Sequence, residues 1–195
     1  MSSLKNHPEN VTGVKDAPPI KKQIEFIKTL LPTAKTIGVI YNPGDNGSAS
    51  SLETMRKEAK VQGFTLVEVT PINSSDIQAA VLQLVGKVDA IYVPLDNMIV
   101  SAMKTVSSLA LKHKLPVFSA DSGSVESGAT ACVGYSYPQV GLETGELVAN
   151  ILKGEKTTEI DIASPGKIDV FINRKALETL NISLPETIRN QAHFY

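Results

Sequence analysis

The chain has no tryptophan, a single cysteine and only 5% aromatic residues, and neither charge is in excess: 19 Lys and Arg stand against 20 Asp and Glu. Each shortage excludes something. Without surplus positive charge there is no field to gather a phosphate backbone or an anionic membrane. Without aromatic platforms, single-stranded nucleic acid has nothing to stack on, so nucleic acid is not an expected partner. The lone Cys132 can form no internal disulfide and supports no cysteine-rich metal site; set in an apolar strand over 129–134, it reads as a small core residue. No apolar run approaches the roughly 20 residues of a membrane span. The opening MSSLKNHPENVTG lacks the apolar stretch and cleavage-like end of an export signal, so the chain as written is expected to stay cytoplasmic.

Reactive motifs are equally scarce. Gly86-Lys87 and Gly166-Lys167 lack the upstream glycine frame of a phosphate loop, and neither H-E-x-x-H nor G-x-S-x-G occurs. The glycine-rich turn over 43–47 is not the G-x-G-x-x-G of a dinucleotide site. Neither a cofactor nor a metal is expected, no histidine is placed for catalysis, and the chain reads as a protein that is not an enzyme.

What is present is a core-forming chain: 195 residues, 42% hydrophobic and 20% charged, enough to fold without disulfide or metal staples. Short β-branched runs, polar turns and amphipathic helices alternate, the pattern of a parallel sheet flanked by helices. Strands are expected over 35–41, 64–69, 90–93, 117–120 and 129–134. Helices are expected over 18–31, 49–62, one opening at Ser74 and Ser75, 98–113, a short one ending near Gly128, and a long one starting at Pro138. Beyond 134 the rhythm changes; a strand over 168–172, a helix over 174–180 capped by Asn173, and a short helix within 185–195 follow. A lone strand-like piece sits at 11–14.

In an open parallel sheet, ligands bind beyond the carboxyl ends of the strands, where helix N-termini also point. That rule selects the loops 42–48, 94–97, 119–124 and 134–137. They carry carboxylates at Asp96 and Asp121, flat walls at Tyr135 and Tyr137, and backbone N–H groups for an anion, an inventory that suits a small zwitterion. Each feature also has a plain structural reading. The 42–48 turn and Asp96 serve equally as helix caps, and tyrosines pack more often than they bind. Asp121 leans to function, because neighbouring serines and a glycine could cap without it.

The stretches NVTGV (10–14), IGVIYNPG (37–44), VDAIYVP (88–94) with Asp96 and Asn97, PVFSAD (116–121) and residues 141–154 together resemble one group of ABC-transporter substrate-binding proteins. That group has the type I periplasmic-binding fold and includes tryptophan- and other amino-acid-binding lipoproteins. The likeness runs from about residue 4 to 184. It implies an extracytoplasmic receptor whose two Rossmann-like lobes close on a small solute, an amino acid such as an aromatic one, and pass it to an ABC permease. Carried over, Asn42, Ser48, Asp96, Asn97, Asp121 and Tyr135 line the ligand cleft, with Asp121 holding the ammonium and Ser48 with nearby N–H groups the carboxylate.

On this likeness, 1–34 is a remnant of lobe one, 35–134 a complete ligand-binding lobe two, and 135–195 a return segment of lobe one with a C-terminal tail. The first half of lobe one and the export signal are expected to be missing, leaving apolar surface for a second copy or a complementing N-terminal fragment. From other functional classes, an intracellular sensor lobe would use the same loops, and less well a Rossmann-like enzyme, since fold alone does not settle function.

Overall fold

The computed structural model of the protein describes residues 8–195; residues 1–7 of the expected first segment lie outside it. The chain divides into two units. One joins residues up to Ala17 with Tyr135–Ile168, and the other joins Pro18–Gly134 with Asp169–Tyr195.

The larger unit is built on a seven-stranded sheet of order β2-β1-β3-β4-β5-β6-β7. Its strands are β1 (Thr36–Ile40), β2 (Thr65–Val69), β3 (Ala90–Val93), β4 (Val117–Ser119), β5 (Ala131–Gly134), β6 (Asp169–Ile172) and β7 (Ala192–Phe194). The first five pair in parallel, β6 runs antiparallel to β5, and β7 is parallel to β6. All four residues of β3 are buried, as a central strand covered on both faces requires.

Around the sheet lie α1 (Ile20–Leu30), α2 (Asn46–Val61), α3 (Ile77–Leu84), α4 (Asn97–Ser101), α5 (Met103–Lys112), α6 (Gly123–Glu126), α8 (Arg174–Leu180) and α9 (Glu186–Arg189); α7 (Tyr137–Leu152) belongs to the other unit. Strand alternation sorts the core onto two faces. Ile40, Ile91, Val93 and Val117 enter a cluster with Val81 and Leu84 of α3 and Met103 and Val106 of α5. Tyr92 and Phe118 point the other way, toward α1, where the rings of Phe26 and Phe118 meet edge to face at 6.3 Å.

One buried group in this core has no partner among the described residues, the Ser107 hydroxyl of α5. A buried unpaired hydroxyl opposes folding. Ser107→Ala is expected to leave stability unchanged or raise it by about 1 kcal/mol, measured by urea unfolding; a clear loss would show that the hydroxyl is in fact bonded.

Helix α1 belongs to the sheet unit, and two expectations about individual elements are revised. Asp169–Ile172 hydrogen-bonds along β5 and brings the tail into the sheet. That tail ends in the strand β7, where a helix alone is expected from sequence; His193 stacks on Phe171 with ring centroids 5.2 Å apart. The helix expected over 98–113 is two helices meeting at Ala102 (φ −100°, ψ 13°), a tightened turn that no glycine or proline announces.

In the smaller unit, the strand expected over 11–14 is a single parallel bridge between Val14 and Ala163. It is flanked by bonds from Lys15 N to Ala163 O (3.0 Å) and from Ala163 N to Gly13 O (2.9 Å). Thr12 Oγ1 donates to Ile160 O at 3.0 Å, and the Thr157 hydroxyl donates to Glu9 O.

Candidate functional site

Because β1, β3, β4 and β5 are parallel neighbours, the loops that follow them emerge on one edge of the sheet. Chain order reverses between β1, whose other neighbour is β2, and β3, so the crevice of a switch point opens there. Five of the six residues expected at the site, Asn42, Ser48, Asp96, Asn97 and Asp121, stand on this rim.

The switch point is closed by carboxylates that grip backbone. Asp96, 1% exposed, accepts Asn42 N on Oδ2 at 2.6 Å and Ile99 N on Oδ1 at 3.1 Å. One side chain therefore caps α4 and ties it to the end of β1. Asp45 makes a second tie. Its Oδ1 accepts Gly47 N (2.8 Å) and Ser48 N (3.2 Å), capping α2, and its Oδ2 accepts Asn97 N (3.2 Å) and Asn97 Nδ2 (2.9 Å). Burial works against ionisation of Asp45, but the bonds from Asn97, Ser48 and Gly47 outweigh it and hold the carboxyl below its ordinary range.

The loops meet with little spare room, since a Cβ on Gly47 would lie 2.7 Å from Leu95 O. Ser48 is fully buried, and its hydroxyl donates to Asn42 O (3.0 Å) and Asp45 O (3.1 Å). It sets the shape of the β1–α2 loop from inside. Asn97 is exposed and Asn42 half-buried, whereas Ser48 and Asp96 are buried.

Further along the rim, Asp121 is 8% exposed. Its Oδ1 accepts Ser124 N at 2.8 Å and its Oδ2 accepts Ser124 Oγ at 2.6 Å. Two of the roughly four lone-pair directions of the carboxylate are thereby filled, and the rest can accept further donors. Cys132 nearby is 1% exposed, and burial pushes its thiol well above the ordinary range, which leaves it unreactive. Tyr135 lies in the smaller unit, where burial and then the charge of Asp16 raise its phenol.

Two contributors escape a reading of the sequence. Asp45 looks like one polar residue of a turn; only its place three residues before Ser48 signals a cap. Gln23 sits on the inward stripe of α1, 2% exposed, and its Nε2 donates to Val133 O (2.7 Å) and Ala120 O (3.2 Å). Its Oε1 accepts Tyr92 Oη at 2.5 Å. The residues it holds directly precede Asp121 and Gly134, so Gln23 anchors the base of the rim. No local pattern marks such a partner.

The rim as built is a set of loops held in place by the carboxylates of Asp45, Asp96 and Asp121. The Clostridioides difficile tyrosine-binding protein is 38% identical over 182 residues, 93% of this chain and 53% of that protein. The crystal structure of an ABC domain in complex with L-Trp from Streptococcus pneumoniae is 33% identical with a TM-score of 0.86, covering 99% of this chain and 67% of that one. The ligand-free, open structure of a substrate-binding protein with adhesive properties from Clostridium difficile is 35% identical with a TM-score of 0.84, covering 100% and 65%. The chain thus spans about half the length of the curated relatives it matches. With the family of ABC transporter substrate binding proteins matching residues 1–194, the chain belongs to that family.

Proposed function

We propose that this chain recognises an amino acid, an aromatic one in the first instance, as the solute-binding component of an ABC importer that delivers to a permease. The observation that carries the reading is Asp121 on the strand-end rim, its carboxylate fixed by Ser124 and with acceptor capacity left for an ammonium group. The relative named for tyrosine and the neighbour solved with L-Trp support the choice of ligand. The Asp96 and Asp45 ties preorganise the loops, so little ordering is needed on binding. Binding is coupled to conformational selection and involves no bond chemistry. In keeping with an extracytoplasmic family, delivery to a membrane partner is the role proposed; none of the described helices is long and apolar enough to cross a membrane itself.

Titration calorimetry with L-tyrosine, L-tryptophan, glycine and a neutral sugar tests this. Heat is expected with the aromatic amino acids, and Asp121→Asn should weaken it about 10–100-fold, the range for losing one charge-assisted bond. Binding of the sugar with no response to any amino acid, or an Asp121→Asn variant of unchanged affinity, overturns the reading.

A further inference from the structure

The pairing of β4 with β5 stops short of the rim. It ends at Ser119↔Cys132, whereas β5 runs on beside β6 to Gly134↔Asp169. The next pair in register, Ala120 with Val133, is not made; the Ala120 N–H goes instead to Val93 O of β3 at 2.9 Å. Both residues are buried, so their carbonyls cannot turn to water and need donors from the protein.

Gln23 supplies them. Its Nε2 donates to Val133 O at 2.7 Å and to Ala120 O at 3.2 Å, one N–H for each carbonyl. Tyr92 Oη, donating to Oε1 at 2.5 Å, fixes which way round the amide lies. A side chain from α1 thus stands where the ladder would otherwise continue. The residues that follow the unpaired ends are Asp121 and Gly134. Ser119 Oγ donates to Asp121 O at 3.0 Å, so the loop leaves β4 in a fixed direction. The two ends pass closely, since a Cβ on Gly134 would lie 3.4 Å from Ala120 O and 3.1 Å from Cys132 Sγ.

We propose that Gln23 is a positioning residue of the ligand site: by bridging Ala120 and Val133 it keeps β4 from zipping onto β5 and holds the Asp121 carboxylate in place on the rim. With those donors gone, the buried carbonyls are satisfied only if the strand ends shift, and Asp121 shifts with them. The proposal rests on the reading of Asp121 as the acceptor of the ligand's ammonium group. It adds that affinity depends on a residue that is itself 2% exposed and lies on the helix before β1.

Two measurements on Gln23→Leu, Gln23→Glu and Tyr92→Phe test it: titration calorimetry with L-tryptophan, and native-state amide exchange without any amino acid. Gln23→Leu should weaken binding about 10-fold, the order expected for one misplaced hydrogen-bonding group. Ser124 N–H donates to Asp121 Oδ1, and Ile99 N–H to Asp96 Oδ1 elsewhere on the rim. The ratio of their exchange rates should rise about 10-fold in Gln23→Leu, a comparison in which a general loss of stability cancels. Tyr92→Phe leaves both carbonyl bonds in place, so it should lose stability and keep affinity and ratio. Gln23→Glu, kept neutral by burial, has one O–H for two carbonyls and should fall between wild type and leucine; it decides the matter if Gln23→Leu does not fold. An unchanged Ser124 to Ile99 ratio in the folded Gln23 variants overturns the proposal. So does a Tyr92→Phe protein that loses as much affinity as Gln23→Leu, since stability alone then governs binding. Absence of heat from the wild-type protein removes the ligand reading, and the exchange ratio still decides whether Gln23 places Asp121.

Discussion

Gln23→Leu is expected to lower the unfolding free energy by about 2–4 kcal/mol, the sum of two or three buried groups left without their bonds. The substitution keeps the side chain's bulk and its place on the inward face of α1, so the loss isolates hydrogen bonding from packing. Tyr92 Oη loses its 2.5 Å acceptor, and the carbonyls of Ala120 and Val133 lose a donor that is itself 2% exposed. Burial also pushes the Tyr92 phenol far above its ordinary range, so the hydroxyl cannot escape the deficit by ionising. Tyr92→Phe removes one bond only and should fall by about 1 kcal/mol. In the double variant the losses should be less than additive, because the second change removes a group the first has already orphaned. Urea unfolding followed by circular dichroism reads all three; a Gln23→Leu loss below about 0.5 kcal/mol would mean that the network is worth no more than the contacts around it.

Asp96→Ala carries the second large effect, about 2–4 kcal/mol, since it removes a helix cap and a charge-assisted bond from one buried carboxylate. Both oxygens are engaged, Oδ1 with Ile99 N and Oδ2 with Asn42 N, at 1% exposure. Asp96→Asn separates the two functions. Its amide oxygen can still accept from Ile99 N, whereas an NH2 group facing Asn42 N cannot accept, so the variant should fall between wild type and alanine. Native-state amide exchange supplies the local readout: Asn42 should exchange faster in both variants, and Ile99 markedly faster only in Asp96→Ala. Equal protection at Asn42 in all three proteins would show that Asp96 does not tie β1 to α4.

The same residues show how far sequence reaches. Asp96 and Asp121 are legible as polar groups after apolar strands, because a parallel sheet puts its loops where helices begin. Which of their oxygens are engaged by neighbours depends on the separation of β1 from β3 and on the path of the next helix. Asp45 and Gln23 are invisible for that reason. Their partners are far away in sequence, at Asn97 for one and at Tyr92, Ala120 and Val133 for the other.

By itself the sequence determined the alternation of strand and helix through β5, the parallel sheet and the single rim on which five of the six candidate residues stand, since these follow from hydrophobic period and turn chemistry, both local properties. Only the tertiary structure decided that 169–195 extends the sheet through β6 and β7 and that 98–113 breaks at Ala102. The reason is physical: strand pairing and helix burial are set by what other surfaces are available, and a three-residue strand such as β7 has too short a period to announce itself before β6 is there to receive it.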